Sequence, residues 1–326
     1  METKWLQDFL VLAEVRHFSR AAVLRHITQP AFGRHIQALE QAVGQQLVDR
    51  STTPISLTAA GRQFHSLARS LVMQLEQGLD ALNGADPALF HPIRIASPHA
   101  LASPLLLDLI SPPDAAPSGD GFAVDIMRVD EAEAALTEGR CDFVLAFDVL
   151  ALLKPPYRSL LLGGGDFLLV SAPGADGQAA FNPREEQVPY LRYSADAYSA
   201  RLLHRHNVDA ALSLRPVFET SMCQLLAEMA LRGEGVAWLP DALIRPQLAA
   251  GTLCPVAPEC LHVPYQVRLY RQQGRLAAAA ETFWQYLETR LAGGWRLLAP
   301  WHESSGEGVC QVVDKNPAFG WQPPVG

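Results

Sequence analysis

Over residues 4–15, the apolar side chains Trp5, Leu6, Phe9, Leu10, Leu12 and Ala13 recur at helical spacing, which predicts a first helix. Ser19 is placed to cap a short second helix running to about Arg25, with Ala21, Ala22 and Leu24 as its small packing face. The break His26-Ile27-Thr28-Gln29-Pro30 follows. Thr28 is expected to cap a third helix with Pro30 in its first turn, where a missing N–H costs little. Phe32, Ile36, Leu39 and Val43 form the buried stripe of that helix. Gln29, Gly33, Arg34 and Gln37 lie on its other faces, and Gly44 ends it. Residues 46–50 and 54–58 then read as two short strands around the turn Ser51-Thr52-Thr53.

From Thr58 to about Asn83 the helical period runs without interruption through Phe64, Leu67, Ala68, Leu71, Leu75, Leu79 and Leu82. A helix of that length spans about 39 Å and presents one apolar stripe, so a helix–helix contact between two chains is expected. Residues 84–92, with one Gly and two Pro, read as a hinge. Beyond it the pattern changes. Strand-like runs at 93–97, 122–129, 142–148, 217–219, 235–240 and 265–270 alternate with helical runs, which predicts parallel sheets covered by helices and, over some 200 residues, two α/β lobes. Residues 158–162 and 166–172 are expected as the strands crossing between lobes, with Gly163–Gly165 as a turn. The last helix, 276–291, is expected to return to the first lobe. Residues 301–326 are rich in Gly, Pro and Ser and read as a loosely held tail, with Trp301, Phe319 and Trp321 as possible anchors.

Composition alters this picture in one respect. The 326-residue chain carries a net charge of −8, which argues against a nucleic-acid partner. Residues 1–70, however, hold eight Lys/Arg against five Asp/Glu, a net +3, and the remainder is therefore −11. A small basic module is fused to an acidic body. Five scattered cysteines (Cys141, Cys223, Cys254, Cys260 and Cys310) without a C-x-x-C fit reduced thiols in a cytoplasmic protein. Cys254 and Cys260 pair only if their Cα atoms approach within about 7 Å. No apolar run reaches the ~18–20 residues of a membrane span, and the N-terminus does not read as a signal peptide. His17, His26, His35 and His65 lack ligand spacing, so no metal or other cofactor is expected. No nucleophile elbow, phosphate loop or H-E-x-x-H is present, and no catalytic set emerges, so the chain is not read as an enzyme.

The stretch FSRAAVLRHITQPAFGRHIQALEQAVGQQLVDRSTTPISLTAAG resembles the N-terminal signature of the LysR-type transcriptional regulators. F-S-R-A-A, T-Q-P-A-F-x-R-x-I-x-x-L-E, G-x-x-L-x-x-R and L-T-x-A-G all occur in order. Within that family the chain is similar to the subgroup of hypochlorite-responsive regulators. The resemblance implies an α/β protein with four parts: a winged helix-turn-helix domain (1–58), a linker and dimerisation helix with hinge (59–91), a two-lobed effector domain like a periplasmic binding protein (92–300), and a tail (301–326). It implies double-stranded promoter DNA, a small-molecule effector, RNA polymerase and other copies of the chain, as homodimer or homotetramer, as partners of a cytoplasmic, nucleoid-associated protein. It places Gln29, Pro30, Ala31 and Arg34 at base edges, with Thr28 and Gln37 beside them. Ser19 and Arg20 fall at phosphate, and Arg50, Thr52 and Thr53 in a wing that can reach the minor groove. Gly33 departs from the family, where Ser is usual.

In a two-lobed α/β domain, ligands sit beyond the carboxyl ends of strands. Ser97-Pro98-His99-Ala100 follows the first strand and is expected to open a helix, Tyr193-Ser194 to open one in the second lobe, and Thr220-Ser221-Met222 another. Phe147 is expected as a floor. Helix starts favour an anion, so a small anionic effector is expected. The alternative is oxidation at Met222, Cys223 or Met229, clustered on one helix. A remote alternative is a solute-binding protein that does not bind DNA.

Overall fold

A computed structural model describes residues 1–82, 92–111, 121–182, 187–206, 212–256 and 262–299. All of the expected hinge but Pro92, the tail with Trp301, Phe319 and Trp321, and Cys260 and Cys310 lie outside the described residues.

The chain begins with helices α1 (Thr3–Val15), α2 (Phe18–Leu24) and α3 (Gln29–Val43). The hairpin strands β1 (Val48–Asp49) and β2 (Ser56–Leu57) and the helix α4 (Ala59–Leu82) follow. Next come β3 (Ile93–Pro98), the single turn α5 (His99–Leu101), α6 (Leu107–Ile110), β4 (Phe122–Met127), α7 (Val129–Thr137) and β5 (Phe143–Phe147). The remainder is β6 (Tyr157–Ser171), β7 (Val188–Tyr193), α8 (Tyr198–Arg205), β8 (Leu214–Thr220), α9 (Cys223–Leu231), β9 (Val236–Pro240), α10 (Asp241–Ala249), β10 (Cys254–Pro255), β11 (His262–Gln272) and α11 (Ala278–Ala292).

These elements form two compact units. The first joins α1–α4 to a lobe in which β3 runs parallel to both β4 and β5. As expected, the last helix belongs here: Trp284 of α11 stacks on Phe143 of β5 with centroids 6.0 Å apart, and Phe283 packs edge-on against Phe122 and Phe143. The second unit is the other lobe, where β7 lies parallel to both β8 and β9. Parallel pairing demands helical crossovers, which α8 and α9 provide.

Four expectations are corrected. Gly163–Gly165 is not a turn: it lies inside the continuous strand β6, and the second long strand running from unit to unit is β11. The glycines serve packing. A Cβ on Gly163 would strike the Leu298 backbone, one on Gly164 the Tyr265 carbonyl, and one on Gly165 the Asp241 carboxylate and Tyr265 ring. Tyr193 closes the unforeseen strand β7 rather than opening a helix, and α8 starts only at Tyr198 after Ala197. The helical run after Ser97 is broken at Ser103, which adopts extended backbone before Pro104, as a residue preceding proline prefers. Ser97 and Pro98 themselves lie within β3. Finally, His17 rather than Ser19 caps α2, its ring Nδ1 accepting from the Arg20 amide at 3.4 Å.

Candidate DNA interface and effector site

The N-terminal module is built around Phe9, Leu12, Ala21, Ala22, Phe32, Ile36, Leu39, Leu47 and Val48, all essentially inaccessible. Ala21 and Ala22 let α2 approach its neighbours, and Phe18 meets Phe32 edge-on at 6.1 Å. Asp8, 2% exposed, ties the three helices together: it accepts from Arg25 Nε at 2.6 Å and lies 2.6 Å from His35 Nδ1. Buried carboxylates are tolerated only when paired in this way. Arg25 also donates to Gln7 Oε1 at 2.9 Å, tying the residue after α2 to α1. Sequence reading missed Asp8, because one acid in an amphipathic helix gives no local sign of burial.

Helix α3 starts as predicted. Thr28 accepts from the Ala31 amide at 3.4 Å, Pro30 occupies the first turn, and Gly44 ends the helix at φ +73°. At about 100° per residue, Phe32, Ile36 and Leu39 occupy one arc, while Gln29, Pro30, Gly33, Arg34 and Gln37 fan over another. Thr28, Gln29, Pro30, Arg34 and Gln37 are exposed, and Ala31 and Gly33 are partly so. Nothing lies within 4 Å of where a Gly33 Cβ would stand. Ser19 and Arg20 are exposed on α2, and Ser19 Oγ donates to Gln29 Oε1 at 2.7 Å. One predicted phosphate contact thereby orients a predicted base contact.

The wing hangs on Glu40, which the sequence did not single out. Its Oε1 accepts from the Leu47 and Val48 amides at 2.9 and 3.1 Å, and its Oε2 from Arg50 Nη2 at 2.9 Å. Arg50 also lies 5.5 Å over the Phe18 ring yet stays half-exposed. Thr52 Oγ1 reaches Ser56 Oγ at 3.1 Å across the wing, and Thr53 is exposed. Ser51 donates twice to Asp49, holding that carboxyl below its usual range. Thr58 then starts α4 by accepting from the Gly61 amide at 2.9 Å while donating to the Gln46 carbonyl at 2.7 Å. Gly61 is required because a Cβ there would strike the Leu47 backbone.

The single stripe expected on α4 divides into two. Phe64, Ala68 and Val72 are buried with the N-terminal core, whereas Leu67, Leu71, Leu75 and Leu79 are 38–48% exposed.

The predicted effector residues fall into two groups. In the first unit, Ser97 and Pro98 are buried at the end of β3. Phe147, 1% exposed at the end of β5, is packed into the lobe core, with its carbonyl accepting from Tyr270 Oη at 3.0 Å. In the second unit, the Ser194 amide donates to the Thr220 carbonyl at 3.0 Å, and Gln224 Nε2 donates to the His99 carbonyl at 2.7 Å. These bonds bring His99 and Ala100 of α5, Tyr193 at the end of β7 with Ser194 after it, and Thr220 at the end of β8 with Ser221 and Met222 after it to the carboxyl ends of two parallel strands. Thr220 Oγ1 already accepts from the Met222 amide at 3.2 Å, while Ser221 is exposed.

Cys223 is 4% exposed, and burial pushes its thiol up to about 12, which disfavours the thiolate near neutral pH. Met222, 36% exposed, and Met229, half-buried, need no ionisation to be oxidised. Among the described residues no group of three or more His, Cys, Asp or Glu is placed to hold a metal, and no helix is long and apolar enough to cross a membrane.

Residues 3–62 match the bacterial regulatory helix-turn-helix protein, lysR family, and residues 89–292 match the LysR substrate binding domain. The chain is 39% identical over 288 residues to the HTH-type transcriptional regulator YjiE of Escherichia coli, covering 88% of this chain and 94% of that one. Among solved structures it resembles DarR of Vibrio fischeri in complex with DNA, at 38% identity and TM-score 0.56, over 88% of this chain and 98% of that one. It also resembles full-length HypT of Salmonella typhimurium, a hypochlorite-specific regulator, at 36% identity and TM-score 0.58, over 90% of this chain and 99% of that one. With both domains matched, and with a helix-turn-helix, a long linker helix and a two-lobed α/β domain in order, the chain belongs to the LysR-type family of DNA-binding transcriptional regulators.

Proposed function

We propose that this regulator reads promoter DNA through Gln29, Pro30, Ala31, Gly33, Arg34 and Gln37, with Ser19, Arg20 and Thr28 on phosphate and Arg50, Thr52 and Thr53 on the wing side. The exposed arc of α3 carries this reading: its polar residues point away from a fully buried apolar arc, and a guanidinium at Arg34 matches guanine O6/N7 bidentately. Two chains pair through Leu67, Leu71, Leu75 and Leu79, and pairs assemble into a tetramer that works with RNA polymerase in the cytoplasm, at the nucleoid.

The switch we infer is a small anionic effector held by His99, Ala100, Ser194, Thr220 and Ser221, next in the chain to Ser97 and Pro98. The observation behind it is the pair of hydrogen bonds, Ser194 to Thr220 and Gln224 to His99, that gather these groups at strand ends. Oxidation at Met222 is a second reading, favoured by its exposure in a chain similar to a hypochlorite-specific regulator. DNase footprinting with candidate anions and with hypochlorite separates the two. Ser221→Trp abolishes the response under the first reading and Met222→Leu under the second. A Ser221→Trp protein that still responds to an anion overturns the effector reading.

A further inference from the structure

Within the first unit, a small pocket open to solvent is walled on one side by Ser66, Arg69 and Ser70 of α4. On the other side lie Arg94 of β3, Gly139, Cys141 and Asp142, and Gln272, Leu276 and Ala277. Its charges are unequal. Arg94 is satisfied: Nη2 and Nε bond Asp142 at 2.8 and 3.3 Å, and Asp142 also accepts from the Arg94 amide. Arg69 is more than half buried yet makes no hydrogen bond or ion pair with any described residue, and burial together with the charge of Arg94 makes its cationic form less favourable than in water. Asp142 and Glu14 are near enough to be felt but do not bond it. Ser66 Oγ is buried without a hydrogen-bond partner. Ser70 Oγ is taken by the Arg275 carbonyl at 2.9 Å, and Glu281, paired with Arg271, already occupies the start of α11. The cavity therefore offers one uncommitted guanidinium and one uncommitted hydroxyl, beside a second guanidinium whose charge Asp142 balances.

Leaving a guanidinium half-buried without a partner is costly, and a planar fork beside a hydroxyl suits an oxyanion. We propose that this pocket is a second ligand site that takes a small oxyanion, phosphate or a phosphomonoester, on Arg69 and Ser66. A ligand there bridges the linker helix to the first lobe, because one wall is α4 and the other is the lobe itself.

The test uses full-length protein free of DNA, in thermal unfolding and calorimetric titrations with inorganic phosphate and with phenyl phosphate, against chloride at matched ionic strength. Wild type is expected to show saturable stabilisation by the oxyanions beyond that by chloride. Arg69→Met and Ser66→Val, each of which keeps an apolar stem in the pocket, should weaken binding at least tenfold, about 1.4 kcal/mol. Arg232→Ala, exposed after α9 in the other unit, should leave it unchanged. Tighter binding of phenyl phosphate marks a phosphorylated metabolite as the natural ligand, and tighter binding of inorganic phosphate marks the free ion. The proposal is overturned if wild type responds to phosphate no more than to chloride, or if a folded Arg69→Met or Ser66→Val protein titrates like wild type.

Discussion

Gly33 stands on the exposed arc of α3, among the residues we assign to DNA. Nothing lies within 4 Å of a Cβ there, so the glycine answers to no internal contact. Gly33→Ala should stabilise α3 by about 0.8–1 kcal/mol in denaturant unfolding, through helix propensity alone. If DNA approaches the helix closely at this point, the same substitution weakens operator binding, and the two readouts move in opposite directions. His65 gives a pH prediction. It packs edge-on to Phe9 at 6.2 Å, and burial, with Arg69 second, lowers its pKa from 6.5 to about 4. The folded state prefers the neutral ring. Stability is therefore fully present above about pH 6.5 and falls as pH drops from there towards 4, by roughly 2–3 kcal/mol. Urea midpoints for wild type and His65→Phe should diverge with acidification, the variant losing less. Glu40 and Asp8 hold the module together through hydrogen bonds at 2.6–3.1 Å, yet in the sequence they are simply acids on helices.

At the scale of elements, α4 makes the clearest prediction. Leu71→Glu or Leu75→Lys places charge at positions that are 38% and 44% exposed in the single chain. The fold should survive, with melting unchanged within about 0.5 kcal/mol, while light scattering shows the pair dissociating. Phe64→Ala, on the buried face, should instead cost about 3–5 kcal/mol of folding stability. The turn at Gly139, at φ +66°, lies against α4, where a Cβ would stand 2.9 Å from Ser66 Oγ and 3.2 Å from His65 Nδ1. The helices were legible because their periods and stops are local: Phe32, Ile36 and Leu39 with Thr28, Pro30 and Gly44 define α3 without outside help. Strands were less so. Gly163–Gly165 reads as a turn in isolation, and only Leu298, Tyr265 and Asp241, distant in sequence, explain why glycine runs straight through a strand. β7 was missed because its identity rests on pairing with β8 and β9.

At the scale of the molecule, the charge pattern and the family agree: a module of net +3 is carried on a body of net −11. Fusing them keeps DNA attraction local, so affinity should fall steeply with salt while the isolated effector domain stays off DNA. The recognition face was readable from sequence because the arc of Gln29, Arg34 and Gln37 follows from the period of one helix. The effector groups were only partly so, since the bonds that gather them join residues more than twenty positions apart. The central claim is that the exposed arc of α3 reads base sequence. It is tested most directly by measuring equilibrium binding of wild type and Arg34→Ala, at one fixed salt concentration, to a duplex selected from random sequence and to its single-base variants. Wild type should prefer the selected duplex over random DNA by at least about 10³-fold, and Arg34→Ala should lose about 1–3 kcal/mol together with base preference at one position of each half-site. Equal binding of selected and random duplexes by wild type, or unchanged base preference in Arg34→Ala, would contradict it.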